Sequence, residues 1–588
     1  MSAPATGAQE WRDVPWAKVQ RHVHRLQRRI YRAAQRGEQR TVHRLQRLLM
    51  SSWSAKCLAV RRVTQDNQGK KTPGIDGVTA LEPEERLDLV DTLNRDAKPQ
   101  PIRRVRIPKP GTDEQRPLGI PTIADRAKQA LVKLALEPEW ETRFEPNSYG
   151  FRPGRSCRDA VAAIFQSIKQ CAKYVLDADI AKCFDRIDHR ALLEKLNTFP
   201  RLRRLIKGWL EARVLDGDAL YPTEHGTPQG GVLSPLLANV ALHGMEDMIR
   251  NAFPKTRRVQ GKVVEWTPTV VRYADDFVIC HRDLGVVRRC QELIRDWLRG
   301  MGLELKPSKT RLVHTLREHE GQPGFDFLGF RVRQHPVGKY HTGKDTRGRP
   351  LGFKTLVTPS PSKVTTHQRR LADLVARHRA APQDVLIGQL NPVSRGWCNY
   401  YRTAASKRTF NTVRHRLFRC LLNWAHRRHP REGHGHVVRR YWRMPGWIFG
   451  PAKGTTLYEH DRTPIVRHVE VLGGKTPFDG DWVYWAGRQG HYPGVGPTLA
   501  LLLKWQQGKC ARCGLYFMPG DLPEQHHHGE PRKKLVALHR HCHDAVHGSG
   551  QPEPLGRIRD KDCPREEPYE RESLTYGSED QPGGGPPG

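Results

Sequence analysis

Val19, Val23, Leu26 and Ile30 recur at spacings of four, three and four, which is one face of a helix, and the pattern over the first 65 residues predicts two helices. Further along the period drops to two. Tyr174, Leu176, Ala178 and Ile180 alternate with Val175, Asp177 and Asp179, so this run reads as a strand with Asp177 and Asp179 on one face. Thr269 to Cys280 reads TVVRYADDFVIC, two β-branched runs around Ala-Asp-Asp, which suits a tight hairpin with two carboxylates at its tip. From about 336 to 450 the pattern is helical and rich in Trp and Tyr. There Trp397, Tyr400 and Tyr401 stand at i, i+3 and i+4 and share a helix face, either as a core stripe or as rings offered to a ligand. From about Pro552 to Gly588 the chain is rich in Pro, Gly and Glu, has too little apolar surface to offset ordering entropy, and is expected to be disordered.

Length and charge narrow the picture. At 588 residues the chain exceeds what one core serves, and several domains are expected. Lys and Arg number 99 against 62 Asp and Glu, a formal charge of +37. That excess points to a polyanionic partner, and in a reducing cytosol the partner is nucleic acid. Between Lys18 and Arg47 lie ten Lys or Arg and one acid, Glu38, whereas a merely solvated helix mixes signs to gain i,i+4 pairs. Either an exposed polar face or an RNA-facing surface fits, and the one-sided charge favours RNA. No apolar run is long enough for a spanning helix, the N-terminus lacks an export signal, and 12 Cys are too few for a disulfide scaffold.

Adjacent acids at an apolar hairpin tip repel each other unless a cation sits there, so a third carboxylate is sought, and Asp179 at the end of its strand is the candidate. Three hard oxygen donors suit two Mg2+ ions catalysing phosphoryl transfer. YADD with an upstream D-I-x-x-x-F-D resembles a reverse transcriptase. TPGIDG (72–77), RIPKPG (106–111), RPLGIPTIADR (116–126), SYGFRPGRS (148–156), TPQGGVLSPLLANVAL (227–242), GLELKPSKT (302–310) and FDFLGF (325–330) resemble, in order, the reverse transcriptase/maturases encoded by bacterial group II introns. The resemblance implies that Asp179, Asp275 and Asp276 bind Mg2+, and that Lys109 and Arg116 neutralise the triphosphate. It places Phe184 under the incoming sugar, where a ring disfavours a 2′-hydroxyl, although a helix-start core residue is the plain alternative. Gln229 falls near the template and nascent pair, with an ordinary turn as its alternative. Lys309 is as readily a surface lysine. Arg395, Arg402, Lys407 and Arg408 fall in blocks that resemble the family's thumb and domain X, where they are expected to reach phosphates.

Near the C-terminal end, Cys510 and Cys513 form C-x2-C and His539 with Cys542 forms H-x2-C, four ligands suited to a tetrahedral zinc site. His543 and His547, at i and i+4, point one way from a helix, whereas His526 and His527, adjacent on a strand, point to opposite faces. This resembles the HNH, or ββα-metal, endonucleases. The resemblance implies that His526, His543 and His547 hold a divalent ion such as Mg2+ or Mn2+ and that His527 is the general base, with a one-residue register shift open along His526–His528. One departure stands out. Lys534 occupies the position of the family's middle Asn and cannot accept a hydrogen bond, which leaves nuclease activity in question.

The expected fold is multidomain α+β: a right-hand polymerase with a helical N-terminal extension, an α-helical thumb/domain X and a small zinc-ribbon-like ββα-metal HNH domain. The expected boundaries are 1–65 extension, 66–335 fingers and palm, 336–455 thumb/domain X, 456–505 DNA-binding segment, 506–550 HNH and 551–588 tail. The resemblance implies an RNA-directed DNA polymerase and maturase that binds its intron RNA, uses dNTPs and supports insertion into target DNA by target-primed reverse transcription with HNH nicking. The alternatives are an RNA-binding splicing factor with an inactive nuclease, or a domesticated reverse transcriptase. No membrane partner is expected, a homodimer stays open, and the location is the bacterial cytoplasm, nucleoid-associated when bound to DNA.

Overall fold

The computed structural model describes residues 10–79, 81–93, 98–108, 115–259, 261–443, 446–489, 495–518, 521, 523–528 and 534–548. Lys109 and the tail from 551 lie outside these residues. The chain divides into two compact units, Met1–Trp482 and Val483–Gly588.

The N-terminal region holds three helices, α1 (Trp16–Gln35), α2 (Gln39–Ser51) and α3 (Trp53–Arg61), where the periodicity predicts two. The extra break is at Ser52, which turns to an extended backbone (φ −65°, ψ 125°) before the chain becomes helical again. Val19, Val23, Leu26 and Ile30 are buried as the spacing requires, while Arg21, Arg25, Arg29 and Arg32 stay exposed. These helices cover α4 (Ile123–Trp140), which is buried nearly all round. One side of α4 gives Leu131, Leu134 and Ala135 to the N-terminal core, and the other gives Val132, Leu136 and Trp140 to the palm core. Gln27 and Gln46 donate to the Leu134 and Ala135 carbonyls at 2.9 and 3.4 Å.

Two sheets build the region expected to be fingers and palm. In the fingers, β1 (Ile102–Pro108) pairs antiparallel with β2 (Gln115–Ile120) and parallel with β4 (Val214–Asp216), which pairs with β5 (Ala219–Tyr221). The palm sheet runs β8-β3-β7-β6, all antiparallel, from β3 (Tyr174–Asp179), β6 (Thr269–Tyr273), β7 (Asp276–His281) and β8 (Arg311–His314). Helices α5 (Cys157–Ile168) and α7 (Leu284–Arg299) pack on this sheet, and the four-residue α6 (Cys183–Arg186) follows β3. A third sheet, β9 (Phe325–Phe327), β10 (Phe330–Pro336) and β11 (Phe353–Pro359), leads to α8 (Pro361–Arg377), α9 (Gln383–Tyr401) and α10 (Lys407–Arg428), which share a core around Leu386, Leu390, Leu417 and Trp424.

The C-terminal unit contains α11 (Pro497–Trp505), a two-stranded antiparallel ribbon of β12 (Pro523–His528) and β13 (Lys534–His539), and α12 (Arg540–Gly548). Leu502, Phe517, Val536 and Leu538 form its core with Cys510 and Cys542. No described helix is long and apolar enough to cross a membrane.

Candidate active site and metal centres

The alternation at Tyr174–Asp179 forms the strand that it predicts, and YADD forms the β6–β7 turn. Asp179 and Asp276 are cross-strand partners, and the Ile180 N–H donates to the Asp275 carbonyl at 3.3 Å, so all three acids meet at one end of the sheet. Burial, reinforced by Asp275 and Asp179, pushes the Asp276 carboxyl up to about 7. Burial also raises Asp275, with Asp179 adding to the shift and Lys309 and Arg116 opposing it. Carboxylates that disfavour one another's charge are a donor set suited to a hard divalent cation. Asp177, on the same strand, is used differently. It pairs across the sheet with Arg311, and burial pushes it up to about 7 against that arginine. Lys309, from the KPSKT turn, stands beside the triad with its ammonium 2.5 Å from Asp179 Oδ2.

Phe184 sits on α6, half-buried, and Asp185 follows it. The Thr227 N–H donates to the Phe184 carbonyl at 2.5 Å, and Gln229 Nε2 donates to the Asp185 carboxylate at 3.3 and 3.4 Å. The PQGG loop is thereby tied to α6. It is tied to the fingers as well: the Gly119 N–H donates to the Gln229 carbonyl at 2.6 Å. Gly230 has φ 126°, and a Cβ there would fall 2.6 Å from the Gly119 oxygen. Only glycine permits this approach. Arg116, exposed on β2, is close enough to oppose the raised pKa of Asp275. Asp185 has no role in the sequence reading, although the F-D of the motif contains it.

In the C-terminal unit the ligand atoms of Cys510, Cys513, His539 and Cys542 all lie within 4.8 Å of one another, as the spacing predicts. Cys513 Sγ is 3.3 Å from His539 Nδ1, and the His539 backbone N–H donates to Cys510 Sγ at 3.4 Å. Hydrogen bonding with Cys513 and then Cys542 holds the Cys510 thiol far below its usual range. At His539 burial opposes a charged ring, but Asp521 and the thiols outweigh it and push the pKa up to about 11. Three sulfurs and one imidazole fit zinc. A second group joins the nitrogens of His526, His543 and His547 within the same span. Nε2 of His543 and of His547 are 3.2 Å apart. Two nitrogens each about 2.1 Å from one ion at a tetrahedral angle would be roughly 3.4 Å apart, so the pair fits a shared cation. Glu524 Oε2 is 3.1 Å from His543 Nδ1. The metal group contains His526, while His527, the next residue on the strand, is exposed.

The matches to known proteins follow the same layout. The family described as reverse transcriptase (RNA-dependent DNA polymerase) matches residues 107–332, the N-terminal domain of reverse transcriptase matches 11–93, and the group II intron maturase-specific domain matches 364–442. Protein YkfC of Escherichia coli (strain K12) is 32% identical over 324 residues, covering 49% of this chain and 83% of that protein. Group II intron-encoded protein LtrA of Lactococcus lactis subsp. cremoris is 29% identical over 417 residues, 59% of this chain and 68% of its own length. An uncharacterized 91 kDa protein in the cob intron of Schizosaccharomyces pombe is 26% identical over 418 residues, 60% of this chain and 50% of that protein. The chain belongs to the group II intron reverse transcriptase/maturase family. It is an RNA-directed DNA polymerase and maturase, uses divalent metal, and takes intron RNA and nucleotides as substrates.

Within the maturase-specific match, the core-stripe reading of the three aromatic residues prevails. The Tyr400 and Tyr401 hydroxyls donate to the Leu328 and Gly329 carbonyls at 2.8 and 3.1 Å, and Tyr400 stacks on Phe330. Trp397 stacks on His367 at 4.3 Å. The two tyrosines bind α9 to the FDFLGF hairpin, and Trp397 binds it to α8. The expectation for Arg402 is corrected: it is buried, bonded to Asn399 Oδ1 at 3.2 Å and directed to the Pro464 carbonyl at 3.5 Å, so it braces protein and not phosphate. Its neighbours Arg395, Lys407 and Arg408 remain exposed.

Proposed function

We propose that Asp179, Asp275 and Asp276 hold the Mg2+ of DNA synthesis, with Lys109 and Arg116 neutralising the triphosphate, Phe184 under the incoming sugar and Gln229 beside the nascent pair. Bound there, Mg2+ would activate the primer 3′-hydroxyl and steady the pyrophosphate leaving group. The protein's own part is positional. The β6–β7 turn presents the acids, the PQGG loop joins palm to fingers, and Arg116 brings positive charge to the carboxylate end of the sheet. The observation that carries this reading is the cross-strand pairing of Asp179 with Asp276 beside Asp275, three acids whose mutual repulsion calls for a cation.

The C-terminal unit, on this reading, is an HNH nuclease built on a structural zinc. Cys510, Cys513, His539 and Cys542 would hold the zinc, and His526, His543 and His547 a divalent ion, with His527 as general base. The intron RNA reverse-splices into one strand of a target DNA, the HNH unit nicks the other, and the exposed 3′-hydroxyl primes synthesis at the palm. The expected domain boundaries and a cytoplasmic, nucleoid-associated location belong to the same proposal. A second reading, in which the unit binds DNA without cutting it, is favoured by one observation: Lys534 stands where the family's Asn would orient the base.

Primer extension on an RNA template with Mg2+, run beside an intron-splicing assay, tests the central claim. Asp275→Ala is expected to abolish nucleotide incorporation and leave splicing assistance intact. Loss of both in a folded protein, or incorporation that survives, would overturn the separation of roles.

A further inference from the structure

Phe151, in the SYGFRPGRS block, has φ 60° and is 47% exposed. Both facts are unfavourable for a bulky apolar residue, because its Cβ crowds the backbone at positive φ and its ring faces water. Such strain persists only where neighbours over-determine the conformation, and here they do. Ser148 bridges Arg272 in parallel, and the Tyr149 N–H donates to the Arg272 carbonyl at 2.9 Å. Gly150 is pressed so closely on the catalytic turn that a Cβ would lie 2.3 Å from the Ala274 nitrogen, and its carbonyl accepts from Asn239 Nδ2 at 2.8 Å. The loop that presents Phe151 is therefore fixed to the strand and turn that present Asp275 and Asp276.

The ring meets Phe184 edge-on, with centroids 6.1 Å apart and planes at 79°. Of the eight non-glycine residues at positive φ among the described residues, Phe151, Lys182 and Ala274 all border the carboxylate end of the palm, Lys182 as the residue before α6 and Ala274 inside YADD. Strained positions gathered at one site mark a conformation held for function.

We propose that Phe151 is a positioning residue for sugar discrimination, backing the ring of Phe184 so that the two aromatics form one apolar wall against the 2′ side of the incoming nucleotide. The proposal rests on the reading of Phe184 as the residue under the incoming sugar. A deoxyribose presents only C–H there. A ribose must bury a hydroxyl against two hydrocarbon edges without a partner, and an unpaired buried hydroxyl is costly. With Phe151 removed, Phe184 loses its edge contact and gains freedom to yield to the hydroxyl.

Single-nucleotide primer extension with matched dNTP and rNTP gives the ratio of their kcat/KM values. Phe151→Gly is the informative variant, because glycine adopts φ 60° without strain and the fold is expected to persist, which a thermal melt checks. It is expected to lower the dNTP/rNTP ratio about tenfold, mainly through a lower KM for the ribonucleotide, the scale of losing one well-placed apolar contact. Phe151→Tyr, which keeps the ring, is expected to restore the ratio. If Phe184→Ala collapses discrimination while Phe151→Gly stays within about twofold of wild type, the proposal is overturned and the gate reading stands. If Phe184→Ala leaves discrimination intact, the gate reading fails and takes the proposal with it.

Discussion

Lys309 Nζ lies 2.5 Å from Asp179 Oδ2, across 130 residues of sequence. Burial works against the charge on Lys309, but Asp179, Asp276 and Asp275 outweigh it and raise its pKa. The ammonium therefore competes with any cation for the Asp179 oxygen. Lys309→Ala is expected to lower the Mg2+ concentration for half-maximal primer extension by about threefold, the size of a modest, partly solvated ion pair. A Mg2+ titration checks this, and an unchanged or higher requirement would show that the lysine does not compete.

Asp185 holds Gln229 through two long hydrogen bonds to one amide nitrogen. Each is weak, and together they orient the side chain of a residue whose carbonyl is held by the Gly119 N–H. Asp185→Ala is expected to raise KM for dNTP about three- to tenfold with a smaller effect on kcat, consistent with the loss of about 1 kcal/mol of orientation. Steady-state kinetics on a homopolymer template separate the two constants. A fall in kcat with KM unmoved would place Asp185 in the chemical step instead.

These two pairs also mark where the sequence stops being legible. Strand periodicity reveals Asp179 and the YADD hairpin because a strand's faces are set by its own residues. The Cys and His of the C-terminal unit are legible because i,i+4 and C-x2-C spacings are local geometry. The Lys309–Asp179 and Asp185–Gln229 contacts depend on how distant segments dock, and no period encodes that. Arg402 looks like a phosphate ligand until the Pro464 backbone covers it. The third N-terminal helix is missed because Ser52 breaks the run without a Gly or Pro to announce it. Phe151 reads as an ordinary apolar residue, since a positive φ enforced by neighbours leaves no mark on a non-glycine position.

His367, on α8, and His460 are buried with their Nε2 atoms 3.1 Å apart, and burial lowers their pKa values to about 3 and about 4. Folded values below the ordinary 6.5 mean that, as pH falls from 6.5 toward 4, the unfolded chain binds protons that the folded protein refuses. Stability accordingly rises with pH through this window and is lost on acidification, by up to about 2 kcal/mol per histidine at pH 5. Urea midpoints followed by tryptophan fluorescence at pH 7.5 and 5 are expected to differ less in His367→Phe, which keeps a ring against Trp397, than in the wild type. Equal acid sensitivity in both would assign the effect to other groups.

The Cys510, Cys513, His539 and Cys542 cluster, proposed above to hold zinc, has an outer carboxylate, with Asp521 Oδ2 3.5 Å from His539 Nε2. Zinc must displace a proton from a ring whose pKa is pushed up to about 11, so affinity is expected to fall as pH drops. Cys513→Ser is expected to lose the metal, and Asp521→Ala to weaken it by about 10- to 100-fold, as for other partners of ligating histidines. Chelator competition measures both. The palm core belongs to the other compact unit, so primer extension by these variants is expected to continue.

Nicking of supercoiled DNA distinguishes a C-terminal unit that cuts DNA from one that only binds it. His527 is exposed and stands outside the three-histidine group, so His527→Ala is expected to leave metal affinity near wild type and reduce nicking at least about 100-fold, the usual scale for a general base. His543→Ala is expected to remove both, since it takes away one of the three grouped histidines and the Glu524 contact together. Lys534→Asn supplies an amide acceptor at the position where the lysine has none. If the lysine is what limits the base, this variant nicks faster than wild type, and the gain disappears when His527→Ala is added. Wild-type protein that binds DNA and metal but does not nick, with no gain from Lys534→Asn, would establish the binding-only reading and move second-strand cleavage to another enzyme.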